Sequence, residues 1–350
     1  MARAPASASL RERLQGWREG NPRLGPEAVH IDITNVCNLD CITCWNYAPT
    51  LATPKSAEWK RQRLDPLRFV RIVDEVAATG TERIILSGGG EPFTHPAIWD
   101  FIGHVKARGL HLTLISNGTL IDFDRLAVLA PDQILLNLAA ASADTYVAYH
   151  PNQPPATFAR LLAGVNRLRG ITAVNFVLVI NAVNAGELVA MVELAAAHGA
   201  RCSFKLGDQP PGTEGYALDA ASRAALLAEG IPEAMKRAGE LAVRHNLDAF
   251  ASQLAGAGPG KAIPCFAGYL YSRVFVDGRV FFCCEHIEAG HIDESDFATI
   301  WQSPPYRALR ERLRAGRSFP GCARCGKHDM NFAAAQALTA LDAQSRAADC

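Results

Sequence analysis

The sequence has no excess of charge of either sign: Lys plus Arg and Asp plus Glu each number 35. A balanced chain generates no strong basic field to gather nucleic acid or anionic lipid, so the expected partner is a small molecule or a short peptide. No apolar run approaches the roughly 20 residues needed to cross a bilayer, and no membrane segment is expected. A clear export signal is missing too. The opening MARAPASASLRERLQGWREG is rich in Ala, Ser and Arg, as transit peptides are, but Glu12 and Glu19 interrupt that pattern. An N-terminal helix and a cytoplasmic location are the expectation. There is no long low-complexity tract, and no internal repeat beyond an alternation of strands and helices.

Cysteine, by contrast, is plentiful. Ten cysteines without an export signal point to a reducing compartment, where clustered thiols hold metal or do redox chemistry more often than they form disulfides. A chain of 350 residues also exceeds a typical single domain.

Short β-branched runs recur at VHIDIT (29–34), RIILSG (83–88), HLTLIS (111–116), QILLNL (133–138), VNFVLVI (174–180) and RCSFKLG (201–207). Helical spacing lies between them, as at Pro66 to Thr79 and Glu187 to His198. Six such units imply a parallel sheet with right-handed crossovers. One parity of these strands is polar: His30, Asp32 and Thr34; Arg83 and Ser87; His111 and Thr113; Asn137; Asn175 and Asn181; Ser203 and Lys205. An open sheet covered by helices on both sides is apolar on both faces. The polar parity therefore predicts a curved sheet around a polar cavity, an α/β partial (β/α)6 barrel of TIM type whose functional groups gather at the carboxyl ends of its strands. Farther on, Asp277-Gly278 between two apolar runs predicts a β-hairpin.

CNLDCITCW places Cys37, Cys41 and Cys44 directly after the first strand. Thiolates suit iron–sulfur clusters or zinc. Three of them leave one iron of a four-iron cluster open to an outside molecule, whereas zinc would need a fourth ligand such as His30. SGGGEP, Ser87 to Pro92, ends the second strand, and glycines there permit close backbone approach. Together the two motifs resemble those of the radical S-adenosylmethionine (SAM) enzymes. The resemblance implies a SAM-binding 4Fe-4S cluster on Cys37, Cys41 and Cys44, with SAM contacts from Thr43, Ser87, Gly88, Gly89, Gly90, Glu91, Pro92, Ser116, Asn117, Asn137 and Asn181. For Asn137 and Asn181 a strand-end cap is the competing reading. One departure is Thr43, where the family usually has an aromatic residue; here the aromatic, Trp45, follows Cys44. In the region resembling the family's SLDGAS stretch, Asn137 and Ala139 replace the usual serine and aspartate.

The C-terminal quarter carries Cys265, Cys283, Cys322 and Cys325, four thiols that would close a second cluster or a zinc site. The segment resembles the SPASM and twitch extensions of radical SAM enzymes, which implies one auxiliary 4Fe-4S cluster. Cys284 is a candidate alternative ligand or hydrogen-atom donor, with a small buried residue the plainer reading for it and for Cys202. The expected division is an N-terminal helical extension (1–28), a radical SAM barrel (29–208), a helical linker region (209–262) and the auxiliary-cluster domain (263–350).

The resemblance implies an oxidoreductase or lyase that cleaves SAM reductively to a 5′-deoxyadenosyl radical, with flavodoxin or ferredoxin as electron donor. Only 36 residues precede Cys37, fewer than a leader-binding domain takes, so the expected substrate is a small polar metabolite such as an amino sugar, sugar nucleotide or nucleoside in natural-product assembly. It would undergo dehydrogenation, coupling or epimerisation. A peptide or protein side chain is the alternative, and a zinc-stabilised binding protein without catalysis is a third reading. Lys205 and Asp208 are candidate substrate contacts, and the segment from Trp45 to Leu64 is a candidate lid.

Overall fold

The computed structural model describes residues 7–256, 264–283, 287–320, 322 and 326–348. Its strands are β1 (Ala28–Thr34), β2 (Arg83–Gly88), β3 (His111–Ser116), β4 (Gln133–Asn137), β5 (Ala173–Ile180), β6 (Arg201–Leu206), β7 (Tyr271–Val274), β8 (Arg279–Phe281) and β9 (Glu288–His291). All nine belong to one sheet in the order β6-β5-β4-β3-β2-β1-β7-β8-β9. Pairing is parallel from β6 through β1 to β7 and antiparallel beyond it. The six expected strand-helix units are present, and the C-terminal hairpin extends their sheet.

Alternation along the strands divides the sheet into two chemistries. Val29, Ile31 and Ile33, Ile84 and Leu86, Leu112 and Leu114, and Val174, Phe176 and Leu178 are buried in one apolar core with the helices. In helix Pro66–Ala78, for example, Asp65 caps the first turn, Pro66 fits the start, and Phe69, Ile72, Val73 and Val76 face the sheet. Each of those buried side chains contributes about 1.5–3 kcal/mol. The opposite parity carries the polar residues.

The sheet curls. Laid flat, β1 and β6 would stand about 24 Å apart, five strand spacings. Instead, the loop after β1 reaches the loop after β6: Ala52 N–H donates to the Pro211 carbonyl at 2.9 Å. The gap between the barrel's two edges is thus strapped at its carboxyl end by residues 45–56, part of the expected lid. The rest of that segment includes the short helix Ala57–Arg61.

The predicted hairpin turns at Asp277-Gly278, with Gly278 at φ +97°. Helix Ala8–Glu19 caps on Ser7 and packs through Leu10, Leu14 and Trp17 against Phe266, Leu270 and the C-terminal helix His328–Ala348. The first and last helices therefore share a small second core. Among the described residues no helix is long and apolar enough to cross a membrane.

Candidate active site

The cysteine loop begins where β1 ends. Leu39 N–H lies 3.5 Å from the Cys37 sulfur and Asn46 N–H 3.5 Å from that of Cys44, while Cys44 N–H donates to the Cys41 carbonyl at 3.0 Å. Burial pushes the Cys37 thiol up to about 12 and the Cys41 thiol well above its ordinary value, and it raises Cys44 as well. Thiolates at these positions need a positive charge brought to them, which iron supplies. Three soft thiolates on one loop are the donor set an iron–sulfur cluster takes.

The glycines of SGGGEP serve this loop. A Cβ on Gly88 would sit 2.0 Å from the Thr34 carbonyl oxygen, and one on Gly90 would sit 2.1 Å from that of Val36. One on Gly89 would meet Asn35 Oδ1 at 2.4 Å and the Trp59 ring at 2.5 Å. The close approach that glycine permits here is by the cysteine loop's own backbone. Gly90 N–H and Glu91 N–H then donate to the Thr34 and Val36 carbonyls at 3.2 and 2.8 Å.

Glu91 knits the next strand into the same cluster of loops. Its carboxylate accepts from Ser116 Oγ at 2.7 Å, Asn117 N–H at 2.7 Å and Phe93 N–H at 3.1 Å. Burial outweighs these donors and raises the Glu91 carboxyl to about 7. Asn117 Nδ2 reaches Asn38 Oδ1 at 3.1 Å, which ties the end of β3 to the cysteine loop. Glu91, Ser116 and Asn117 thus gather beside the cysteine loop, with Pro92 starting the short turn Pro92–Thr94.

Thr43, the departure from the family pattern, is accommodated by a residue far along the chain. Tyr149 donates or accepts a 2.7 Å hydrogen bond with Thr43 Oγ1, and its carbonyl accepts from Ile42 N–H at 3.1 Å. Its ring packs with Ile42, Cys41 and Ala139. Tyr149 lies in the stretch NLAAASADTYVAYHP (137–151), and nothing in its spacing connects it to Thr43. Asn137 Oδ1 is buried with no hydrogen-bond partner, a polar atom suited to a bound ligand. Asn181 has the cap arrangement, since its Oδ1 accepts from Val183 N–H at 2.8 Å. Asn184, missed in the sequence, donates to the carbonyl of Ala139 at 2.7 Å, a residue at φ +50°.

Below the loops the interior is polar and charged. His30 bonds Tyr271 OH through Nδ1 at 3.0 Å and Ser87 Oγ through Nε2, and Ser87 Oγ donates to Asp32 Oδ1 at 3.0 Å. Arg273 of β7 donates to both Asp32 oxygens at 3.0 Å. Burial, with Arg273, Lys327 and Lys205 adding to it, lowers the His30 pKa well below its ordinary value, so His30 is neutral and its 3.4 Å approach to Asp32 is no ion pair. Lys205 lies exposed on β6, and Asp208 follows that strand.

Cys265 and Cys283 lie toward the other end of the barrel. Cys265 precedes β7, which runs parallel to β1, and Cys283 follows β8, which runs back. Both therefore sit toward the amino end of β1, opposite Cys37. Asn331 Nδ2 lies 4.0 Å from the Cys265 sulfur, and Phe319 N–H donates to that of Cys322 at 3.2 Å. Cys325 and Cys284 fall outside the described residues. Cys202 is buried, its thiol 3.8 Å from the Met191 carbonyl, as a small core residue.

Comparison with known proteins agrees with this geometry. The radical SAM superfamily model matches residues 31–195, and the iron-sulfur cluster-binding SPASM domain model matches residues 265–326. The chain belongs to the radical SAM superfamily and carries a C-terminal SPASM domain. Its cofactors are two 4Fe-4S clusters and SAM. AdoMet-dependent heme synthase of Methanosarcina barkeri is 27% identical over 82% of this chain and 85% of its own. Mycofactocin maturase MftC of Mycobacterium tuberculosis is 25% identical over 87% of this chain and 76% of its own. PqqA peptide cyclase of Ruegeria pomeroyi is 31% identical, but the match covers 50% of this chain and only 46% of the cyclase. Among solved structures, Streptococcus suis SuiB bound to S-adenosylmethionine aligns at a TM-score of 0.64 with 16% identity, over 90% of this chain and 74% of SuiB. That likeness shows the fold.

Proposed function

We propose that this enzyme is a peptide-modifying maturase. The observation that carries the reading is the likeness to a maturase over 87% of the chain, through barrel and SPASM domain together, joined by that to peptide cyclases. It supports a peptide above the small polar metabolite expected from the short stretch ahead of Cys37.

In this reading Cys37, Cys41 and Cys44 hold the SAM-binding cluster, and Cys265, Cys283, Cys322 and Cys325 hold the auxiliary one. Residues 1–28 form a helical extension, 29–208 the barrel, 209–262 a helical linker region and 263–350 the auxiliary-cluster domain. Held there, SAM would supply the family's 5′-deoxyadenosyl radical chemistry, with a flavodoxin or ferredoxin as the electron donor. The chain's own task is placement. Ser87 to Pro92, Ser116, Asn117 and Asn137 orient SAM near Thr43, Asn181 caps the end of its own strand, the strap of residues 45–56 limits solvent at the mouth, and Lys205 and Asp208 meet the substrate. Cys284 is the candidate hydrogen donor. Placement of the reacting carbon within contact of the radical is what converts reagent into catalyst.

The test is anaerobic co-expression with candidate short precursor peptides, read by mass spectrometry and by 5′-deoxyadenosine formed. Loss of peptide hydrogen matched by 5′-deoxyadenosine is expected. SAM cleavage that never alters any peptide, while a small metabolite is consumed, would overturn the peptide reading.

A further inference from the structure

Helix Pro304–Arg314 buries an arginine that meets no acid. Arg310 is 2% exposed, and among the described residues it forms no ion pair with a carboxylate. Its Nε donates to the Gly268 carbonyl at 2.7 Å, while Nη2 is buried without a hydrogen-bond partner. The rings of Trp301, Tyr306 and Tyr269 stand around the guanidinium, their centres 4.3, 4.8 and 5.5 Å from Cζ. Burial lowers its pKa to about 10, which leaves it a cation at neutral pH.

Arg13, equally buried, shows how this fold otherwise satisfies a guanidinium. It donates to the Gly25 and Gly80 carbonyls at 2.9 and 2.5 Å and to the Glu82 carboxylate at 2.6 Å. A buried charge without a counter-ion is costly, and aromatic faces offset only part of that cost.

The neighbours of Arg310 point to its partner. Gly268 stands three residues after Cys265, about 11 Å at full extension, and Phe282 immediately precedes Cys283. A Cβ on Gly268 would lie 2.4 Å from the Phe282 ring and 2.8 Å from Arg310 Cγ, so the three residues pack together. The Phe282 and Tyr306 ring centres are 5.1 Å apart, and the Tyr306 hydroxyl bonds Ser272 Oγ of β7 at 2.6 Å. Arg310 thus packs on both of the segments that carry Cys265 and Cys283. A 4Fe-4S cluster on four thiolates is an anion, and reduction adds a further negative charge.

We propose that Arg310 is the counter-charge of the auxiliary cluster and raises its reduction potential by favouring the reduced, more negative form. The inference rests on the assignment of Cys265, Cys283, Cys322 and Cys325 as ligands and is independent of the peptide reading. A unit charge about 11 Å away, acting through an effective dielectric of about 20, shifts a one-electron equilibrium about tenfold.

The test is a redox titration of the anaerobically loaded two-cluster holoenzyme, with dithionite supplying the electrons and electron paramagnetic resonance reading each cluster. Added SAM changes the spectrum of the SAM-binding cluster and so tells the two apart. Arg310→Met should lower the auxiliary potential by about tenfold in that equilibrium, about 59 mV. Arg310→Lys keeps the charge without the guanidinium's geometry and should stay near the parent, and the SAM-binding cluster should shift in neither variant. Equal shifts in the Met and Lys variants, or no shift in Arg310→Met with both clusters loaded, overturn the proposal. Arg310→Met protein that cannot fold even without clusters also overturns it, since the aromatic cage alone would then account for the cation. Iron and sulfide for a single cluster in the parent would instead refute the ligand assignment, and the counter-charge with it.

Discussion

Thr43 Oγ1 and the Tyr149 hydroxyl lie 2.7 Å apart and both are buried, so a residue of the cysteine loop is held by the last residue of helix Ala143–Tyr149. Removing one partner strands the other without a hydrogen bond, at about 1–3 kcal/mol, whereas removing both leaves nothing unpaired. Tyr149→Phe and Thr43→Val should each lower stability by roughly that amount, and the double variant should lose less than the sum. Urea unfolding of all four proteins measures the coupling. Strict additivity would show that the contact carries no energy.

The Asp32–Arg273 pair joins the barrel to the C-terminal hairpin. Asp32 has a side chain only 4% exposed, so Arg273→Met leaves a buried carboxylate without its counter-charge. The expected loss is about 3–5 kcal/mol. Adding Asp32→Asn to Arg273→Met should recover much of it, since the uncompensated charge is then gone. Denaturant midpoints that the second change fails to raise would refute this account of the join.

Glu91 gives stability a pH dependence of known sign. Its carboxyl is raised from 4.5 to about 7 in the folded protein, so between those values the folded state binds the extra proton. The favourable contribution is full below about pH 4.5 and is lost as pH rises through about 7. At 1.36 kcal/mol per pKa unit, the range is on the order of 3 kcal/mol. Unfolding of the cluster-free protein from pH 5 to 8 should show this decline, and Glu91→Gln should flatten it. A decline of equal size in the variant would assign the effect to other groups.

The fold was legible because its signal is local. Strand parity showed one polar face at His30, Asp32 and Ser87, and only a curved sheet explains that. The same holds for Cys37, Cys41 and Cys44 and for Ser87 to Pro92, where order and spacing are contiguous in the chain. Contacts made across the sheet left no such trace. Tyr149 reaches Thr43, and Arg273 reaches Asp32, only after the strands pair. Asn137 and Asn181 looked alike in sequence, yet one is left with an unpartnered oxygen and the other caps its own turn. The substrate was least legible, since its expected size rested on chain length ahead of Cys37 and not on any residue that touches it.

Two glycines with opposite surroundings give a final contrast. A Cβ on Gly90 would lie 2.1 Å from the Val36 oxygen and 2.6 Å from the Asn35 oxygen, while one on Gly103, inside helix Ile98–Ala107, would meet nothing within 4 Å. The atoms that crowd Gly90 are backbone, fixed by the Gly90 and Glu91 hydrogen bonds to β1 and its loop, so they cannot yield without moving Cys37. Gly90→Ala should therefore lose the SAM-binding cluster and SAM cleavage while keeping the auxiliary cluster, about half the iron and sulfide. Gly103→Ala should keep both clusters and stabilise its helix by about 0.5–1 kcal/mol. Iron and sulfide analysis with thermal unfolding separates the two, and full cluster loading with normal SAM cleavage in Gly90→Ala would show that this turn does not position the cysteine loop.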